Sequence, residues 1–280
     1  MPIPQLPQLV QLPPSGPPAT ARFLATVAAI VLGLALAQAA HGAEQQVDAY
    51  NTYLSPPFLT AGGGGLAAEL VERLNTQLAG EYRLRLQHIP RQRLMLVGMR
   101  NPAAFDGVGL LLSPAFVKED RKPRFLWSVP VFYDYNVLVF AGPSAPPLTS
   151  AADLAGLRFG AIIGYRYVNL EQLLAAGSIV RQDTGAERLN LRKVTHGRVD
   201  FTQMNRLLYG AIEGEAEFAG KLAAIPEPGA PPFARQLFVG PHRAALLARL
   251  NAALAALPCD AQWRASATRH GIELPACGAR

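Results

Sequence analysis

The segment "KEDRKPRFLWSVPVFYDYNVLVF" over residues 118–140 brings basic, acidic and aromatic side chains together. Arg121 is its candidate for ligand chemistry, because a guanidinium is planar, permanently charged and able to bind a carboxylate through two parallel hydrogen bonds. The alternative is a solvated charge cluster in which Glu119 or Asp120 neutralises the arginine. Arg121 is therefore a candidate anchor for an anionic group.

Other residue types that can do chemistry lack the spacing that catalysis or cofactor binding requires. The five histidines show no metal-ligand spacing, and no serine lies in a Gly-x-Ser-x-Gly context. The glycines from Gly62 to Gly65 lack the Lys-Ser/Thr of a phosphate-binding loop, so they are expected only to let the backbone turn. We predict no catalytic residue, no metal site and no cofactor.

The N-terminal segment is predicted to be a signal peptide over residues 1–42. An uncharged run, "FLATVAAIVLGLALA", follows Arg22 and precedes small residues, with cleavage expected after Ala39 or Gly42. The run is shorter than the roughly 20 apolar residues of a membrane span. A retained single-span anchor is the alternative. The mature protein is expected to be soluble and exported.

Export changes how the two cysteines are interpreted. Cys259 and Cys277 are the only pair in the chain, and disulfides persist in oxidising compartments. A bridge between them is predicted to hold down the C-terminal tail. A metal site built from these cysteines and scattered histidines is the alternative, and no ligand spacing supports it.

The charge balance argues against a nucleic-acid partner. Of 280 residues, 26 are Lys or Arg and 20 are Asp or Glu, which gives a formal net charge of +6. The excess is scattered rather than arranged as a stripe, so no nucleic-acid binding is predicted. Its sign suits weak attraction of small anions.

Alternating strand and helix patterns predict an α/β protein with two lobes. Strand-like segments "VDAYNTY" and "YRLRLQHI" enclose "LAAELVERLNTQL", whose apolar residues fall on one helical face. Pro and Ser residues at 143–150 interrupt the chain, and the alternation restarts with "LRFGAIIG". Lobe 1 is predicted to comprise residues 46–138 plus 233–280, and lobe 2 residues 139–232.

Several segments in order resemble family 3 of the periplasmic solute-binding proteins, which includes the amino-acid receptors of ABC importers. They are "SPPF" followed by Gly-rich residues and "GLAAELVERLN", "FDGVG", "EDRKPRFLWSVPVF", "ADLAGLRFGAIIGYRY", "HGRVD" and "LLARLNAALAAL". The resemblance covers about residues 47–272. It implies a two-lobed periplasmic-binding-protein fold of type II, in which two strands cross between the lobes and a ligand binds in the cleft.

The resemblance assigns a role to Arg121 and raises a question at Asn205. In the family, a segment similar to "DRKPRFLWSVP" supplies the arginine that binds the ligand's carboxylate, and Arg121 falls on it. The acid that usually binds an α-ammonium corresponds to Asn205, an amide that cannot neutralise a buried cation. This departure favours an anionic or neutral ligand over a zwitterionic amino acid.

Further positions complete the ligand-binding set that the resemblance implies. In the family, the loop after the first strand often places an aromatic ring against the ligand. The alternative is that rings in this loop serve only to pack the loop onto its lobe. A turn in lobe 2 caps the ligand's carboxylate, and here it reads Gly-Tyr-Arg-Tyr. These positions are Tyr53, Phe58, Tyr165 and Arg166.

The resemblance implies a binding protein rather than an enzyme. The expected function is capture of a small polar, carboxylate-bearing solute, either an amino acid or an organic acid, by a monomer that presents it to the membrane permease of an ABC importer. Three alternatives stay open: a stand-alone sensor domain, a periplasmic enzyme similar to cyclohexadienyl dehydratases, which would need a cleft acid, and an interaction protein without a ligand.

Overall fold

A computed structural model describes residues 44–119 and 121–278. The predicted signal peptide over 1–42 lies outside the described residues. Within them, the chain forms two β-sheets connected by helices on their faces. The predicted α/β class is confirmed.

The first sheet has six strands in the order β2-β1-β3-β11-β4, with β5 also pairing with β11. β1 is parallel to β2 and β3, whereas β11 runs antiparallel to β3, β4 and β5. The strands are β1 (Gln45–Asn51), β2 (Tyr82–His88), β3 (Val108–Leu112), β4 (Leu126–Trp127), β5 (Phe132–Asp134) and β11 (Phe233–Val239).

The second sheet has five strands in the order β10-β6-β9-β7-β8. β7 is parallel to β8 and β9, and β6 is antiparallel to β9 and β10. The strands are β6 (Asn136–Ala141), β7 (Arg158–Ile162), β8 (Val180–Thr184), β9 (Phe201–Asn205) and β10 (Leu222–Pro226).

In the described part of the chain, seven α-helical segments and several 3₁₀ turns lie between the strands or follow the last one. The helices are α1 (Leu66–Leu78), α2 (Arg91–Arg93, continued by a π-helical turn over Leu94–Gly98), α3 (Glu171–Ala175), α4 (Glu187–Thr195), α5 (Arg206–Ile212), α6 (Ala244–Ala256) and α7 (Ala261–Arg269). The 3₁₀ turns are Pro102–Ala104, Pro114–Val117, Ala151–Leu154, Val168–Leu170 and Leu257–Cys259.

The chain crosses between the two sheets twice, as a type II periplasmic-binding fold requires. The first crossing is at Tyr135, since β5 pairs within the first sheet and β6 within the second. The second crossing lies over residues 227–232, between β10 and β11. The expected boundary at 138/139 lies within β6, and that at 232/233 lies at the start of β11. The division into two lobes at these positions stays a prediction.

Helix α1 buries the apolar face that its sequence predicts. Its periodic leucines Leu66, Leu70, Leu74 and Leu78 are fully buried, as expected for one stripe of an amphipathic helix. The preceding Gly65 has φ 110°, and a Cβ there would lie 2.6 Å from the carbonyl oxygen of Pro57. The Gly-rich turn is therefore needed to bring the chain into the helix at close range.

Alternate residues of β6 enter different cores. Val137 and Val139 belong to the larger apolar cluster, which extends over the first sheet and one face of the second. Leu138 and Phe140 belong to a smaller cluster on the opposite face of the second sheet. This alternation follows from the period-two geometry of a strand. The second sheet is thus covered on both faces.

The C-terminal region is tied by a disulfide between Cys259 and Cys277, which closes a loop with a sequence separation of 18. This is the pairing that the sequence predicts. Within the loop, Asp260 caps α7 by accepting a hydrogen bond from the backbone N–H of Trp263 at 2.8 Å, and the Trp263 side chain is fully buried. Both features fix α7 against the first lobe.

Among the described residues, no single helix has the length and apolar character to cross a membrane. One pair, Ala244–Cys259 with Ala261–Arg269, is long and apolar enough only when taken together, and it is bent by 75°.

Candidate ligand-binding site

A cavity of about 40 Å³ lies between the two lobes. Several of its lining residues follow the carboxyl ends of parallel strands, which is where open α/β sheets place ligands. The lining residues are Tyr53, Arg91, Phe116, Asn136, Ile162, Tyr165, Arg166, Tyr167, Glu187, Gln203, Met204, Asn205, Leu208 and Arg235. Both lobes therefore contribute to one site.

Arg91 is the central cation of this cavity. It is the first residue of α2, directly after Pro90, and only 4% of it is exposed. Its guanidinium carbon lies 3.9 Å from the centre of the Tyr165 ring and 4.9 Å from that of Tyr53. One ring comes from each lobe, so both lobes hold the guanidinium by cation–π attraction.

One edge of the Arg91 guanidinium makes no hydrogen bond to the described residues. Nε and Nη2 are buried and make no hydrogen bond among the described residues. Although burial lowers the pKa of Arg91, Tyr53, Tyr165 and Glu187 together raise it above the ordinary value, so the side chain is charged. Adjacent Nε–H and Nη2–H groups are the fork that binds a carboxylate in bidentate fashion. The geometry thus offers an anion two charged donors.

Glu187 is the carboxylate among the described lining residues. It begins α4, after β8, and it accepts hydrogen bonds from the hydroxyl of Ser55 at 3.3 Å and from that of Tyr165 at 3.4 Å. Ser55 belongs to lobe 1, whereas Glu187 and Tyr165 belong to lobe 2. Glu187 therefore joins the lobes and contributes to the electrostatic stabilisation of the charged Arg91.

Amide side chains form the polar wall of the cavity on the second sheet. Asn136 on β6 and Asn205 on β9 are opposite one another in the strand register, and Gln203 lies two residues before Asn205 on the same face. The Oδ1 of Asn205 caps α5 by accepting from the backbone N–H of Leu208 at 3.0 Å. This wall offers neutral donors and acceptors without a net charge.

A buried acid lies behind the amide wall. Glu227 is 4% exposed, and neither carboxylate oxygen is in hydrogen-bonding geometry with another described residue. Burial raises the pKa of Glu227 above its usual value, while the nearby amides of Asn169, Asn136 and Gln203 offset part of that rise. Glu227 is not among the residues that line the cavity.

Arg235 lies at the base of the cavity but is already satisfied. Its Nε and Nη2 donate to Asp134 Oδ2 at 3.0 and 2.8 Å, and its Nη1 donates to the Leu111 carbonyl at 3.0 Å. Leu111 has φ 57°, a left-handed conformation uncommon for leucine. These contacts make Arg235 a support for Tyr53, whose ring centre lies 4.6 Å from the guanidinium carbon.

Four of the six predicted ligand-binding residues line the cavity: Tyr53, Tyr165, Arg166 and Asn205. Arg166 is ion-paired with Glu171, and its Nη1 donates to the carbonyl of Ala115 in lobe 1 at 2.5 Å. It therefore acts as a bridge between the lobes.

Two predicted residues lie elsewhere. Phe58 is fully buried behind Tyr53, with ring centres 4.6 Å apart, so it supports the loop, the alternative considered for it. Arg121 is exposed and is not among the lining residues. The reason is that buried Glu119 accepts from the backbone N–H groups of Arg124 and Phe125, which fixes this loop with Arg121 outside the cavity.

Sequence reasoning missed Arg91, Glu187, Gln203 and Arg235. For Arg91 and Glu187 a signal exists, because each follows a parallel strand at its carboxyl end, in "HIPRQR" and "RQDTGAE". Gln203 and Arg235 lie within strands, where only the tertiary fold decides that their side chains reach the cleft.

The described residues hold no group of three His, Cys, Asp or Glu side chains that could bind a metal ion. The cavity also has no glycine-rich phosphate cradle among its lining residues. The described lining therefore offers a ligand the free edge of the Arg91 guanidinium, the Glu187 carboxylate, amides and aromatic rings.

The fold is shared with solved periplasmic-binding-type proteins. A structure from work on glutathione import via GshT and the cystine ABC importer TcyBC of Streptococcus mutans matches with a TM-score of 0.70 and 18% identity, over 84% of this chain and 98% of that one. An ancestral arginine-binding protein bound to arginine matches with a TM-score of 0.66 and 16% identity, over 81% and 99%. A histidine kinase sensor domain with similarity to periplasmic binding proteins matches with a TM-score of 0.65 and 17% identity, over 84% and 99%.

No family model and no curated protein matches the sequence. At 16–18% identity the structural likeness shows the fold alone. The chain has the two-lobed periplasmic-binding-protein fold, and its structural neighbours include amino-acid-binding proteins and a sensor domain.

Proposed function

We propose that this protein is an exported solute-binding protein that captures a small carboxylate-bearing organic solute between its lobes. The observation that carries the proposal is the buried, charged edge of Arg91, whose Nε and Nη2 have no partner among the described residues. A buried donor left without a partner costs about 1–3 kcal/mol, and more when it is charged. A ligand carboxylate would remove that cost through two charge-assisted hydrogen bonds.

Capture requires the lobes to separate and close again. Sites for small organic ligands usually measure about 300–1,000 Å³, whereas the cavity here is about 40 Å³. The two crossings, at Tyr135 and over 227–232, are where a hinge rotation is expected. The solute would enter an opened cleft and be enclosed by residues of both lobes.

The chemistry of the wall narrows the ligand class. The Arg91 edge binds the carboxylate, and the amides of Asn136 and Gln203 bind neutral polar groups. Glu187 supplies the one acid of the described lining and suits a solute that also carries a donor. Amino acids and hydroxy or oxo acids of similar size both meet these requirements. Arginine, which one structural neighbour binds, and glutathione, whose import was studied with another, both carry carboxylates.

Delivery to the permease of an ABC importer is the proposed role of the closed form. The likeness to a protein studied with an ABC importer supports it. The likeness to a sensor domain supports signalling as a second route for the same binding event. Both are binding functions rather than catalysis. Periplasmic localisation, which the predicted signal peptide supports, and a monomeric state are part of the same proposal.

Thermal unfolding against a solute panel tests the proposal. The protein purified from cells that express the full chain is heated with amino acids, dicarboxylates, aromatic acids and cations. A solute that binds only the folded state raises the Tm in proportion to the logarithm of its concentration above the Kd. We expect a carboxylate-bearing solute to raise the Tm of wild type and of Arg121→Ala, but not of Arg91→Ala. No response from any acid, or an undiminished response in Arg91→Ala, would contradict the proposal.

A further inference from the structure

The two rings around Arg91 form a cation cage with Glu187. Tyr53 and Tyr165 face the guanidinium at 4.9 and 3.9 Å, and Glu187 is held beside them by the hydroxyls of Ser55 and Tyr165. Two aromatic faces and a carboxylate are the features that bind guanidinium and alkylammonium ions. Here the cation is a side chain of the same chain.

We infer that Arg91 is a built-in occupant of a guanidinium site: it excludes cationic solutes from the cage and holds the lobes together without a ligand. The inference rests on the cavity of the proposed function and goes beyond it, because it concerns the rings and Glu187 rather than the free edge of Arg91. Its test needs no natural solute, so its failure can be told apart from the failure of the proposed function.

The cage spans both lobes, which makes its occupant a link between them. Tyr53 and Ser55 follow β1 of lobe 1, and Tyr165 and Glu187 follow β7 and β8 of lobe 2. The neighbouring residue Gln92 also packs against lobe 2, since its Cγ lies 2.5 Å from where a Cβ on Gly164 would be. Insertion of Arg91 and its helix α2 into lobe 2 is therefore coupled to closure.

The other arginines that line the cavity have partners of their own. Arg235 also lies against the Tyr53 ring, with its guanidinium carbon 4.6 Å from the ring centre, but Asp134 and the Leu111 carbonyl fix it there. Arg166 is bound by Glu171 and the Ala115 carbonyl. Among the described lining residues, Glu187 remains as the acid opposite Arg91. The cage thus accepts one cation, and Arg91 supplies it.

Removal of the Arg91 side chain is expected to leave a cage that binds free guanidinium compounds. In Arg91→Ala, methylguanidinium chloride in the low millimolar range should raise the Tm along a saturating curve, by roughly 3–6 °C at ten times its Kd. Wild type should not respond, because its cage is filled. Arg93→Ala is the matched control, since Arg93 is an exposed arginine of the same short helix.

Further measurements distinguish specific binding from a general salt effect, and closure of the lobes from local packing. Sodium chloride at equal concentration should not reproduce the rise, and Glu187→Gln in the Arg91→Ala background should reduce it. The radius of gyration from small-angle X-ray scattering should increase in Arg91→Ala and return towards the wild-type value with methylguanidinium. A folded Arg91→Ala that shows no saturable response, or an equal response in Arg93→Ala, would overturn the inference.

If Arg91→Ala does not fold, Arg91→Lys and Arg91→Met replace it. Removing one partner of a buried charged pair is destabilising whatever surrounds it, so the variant that tests the cage is Arg91→Lys, which keeps the charge but loses the planar group that stacks on both rings. The cage predicts the highest Tm for arginine, a lower Tm for lysine and the lowest for methionine. A lysine variant as stable as wild type would overturn the inference.

Discussion

Arg235 on β11 and Asp134 at the end of β5 form an ion pair in which both side chains are completely buried, with Nη2 and Oδ2 2.8 Å apart. The pair lies beside the first crossing between the lobes, and Asp134 Oδ1 also accepts from the backbone N–H of Tyr135 at 2.9 Å. The Asp134 carboxylate therefore fixes both Arg235, which supports Tyr53, and the backbone where the chain first crosses between the lobes. The Asp134–Arg235 pair thus helps to position the cleft residues.

Asp134→Ala is expected to destabilise the protein by about 3–5 kcal/mol, because it leaves the Arg235 guanidinium buried without its counter-charge. Urea unfolding followed by circular dichroism measures the change. The control is Asp183→Ala, which removes an exposed pair with Arg181 and should change stability by less than about 1 kcal/mol. Equal losses in the two variants would contradict a structural role for the buried pair.

Glu227→Gln is expected to stabilise the protein at pH 8 and to have little effect near pH 4. Burial raises the pKa of Glu227 in the folded state, so between the unfolded and folded pKa values the folded protein binds more protons than the unfolded chain. The free energy of unfolding of wild type therefore falls as the pH rises through that window. The glutamine side chain carries no charge, so the variant does not lose stability in this pH range. Its free energy of unfolding should exceed that of wild type by about 1–3 kcal/mol at pH 8.

Chemical unfolding at pH 4, 6 and 8 checks the prediction for Glu227. Glu273→Gln is the matched control, since Glu273 is exposed and the change should leave the pH profile as in wild type. A Glu227→Gln variant less stable than wild type at pH 8 would show that the ionised carboxylate has a stabilising partner.

Cys259→Ser with Cys277→Ser is expected to lower the free energy of unfolding by about 3 kcal/mol, because the open chain regains the entropy of a loop of this length. Both cysteines are exposed, so the serines cost little packing. Differential scanning calorimetry should show a Tm lower by roughly 6–12 °C. Dithiothreitol should lower the Tm of wild type by a similar amount and leave the double variant unchanged. An unaltered Tm in the variant would mean that the loop is ordered in the unfolded ensemble.

The elements that depend on local pattern were predictable from sequence. The helix at 66–78 coincides with α1 because its apolar residues repeat along one face. β10 was missed, since "LAAIP" lacks strand-forming residues other than Ile225 and ends in Pro226, which only an edge strand tolerates. The sequence does not predict helix α5 either, because its seven residues, which include Gly210, are too few to show a helical period.

The aromatic lining of the candidate cavity follows from the sequence more readily than its central cation does. Tyr53 and Tyr165 follow strands that the sequence predicts, and both line the cavity. That they bind a ligand stays a prediction. The anionic anchor was assigned to Arg121 by position in a resembling segment, but Glu119 holds that loop so that Arg121 faces solvent. Sequence alone does not distinguish Arg91 from Arg93, because only the packing of lobe 2 buries the first and leaves the second exposed.

The free edge of Arg91 is proposed to bind the solute's carboxylate. Isothermal titration calorimetry with the most effective panel solute, on wild type, Arg91→Lys and Arg121→Ala, measures this binding. Lysine keeps the charge and loses the fork, and truncating one partner of a buried charged pair typically costs 2–5 kcal/mol, so the Kd of Arg91→Lys should rise at least about thirtyfold. Arg121→Ala should bind as wild type does. A Kd that is unchanged in Arg91→Lys, together with lost binding in Arg121→Ala, would contradict this assignment. Arg121 would then be the residue that binds the carboxylate.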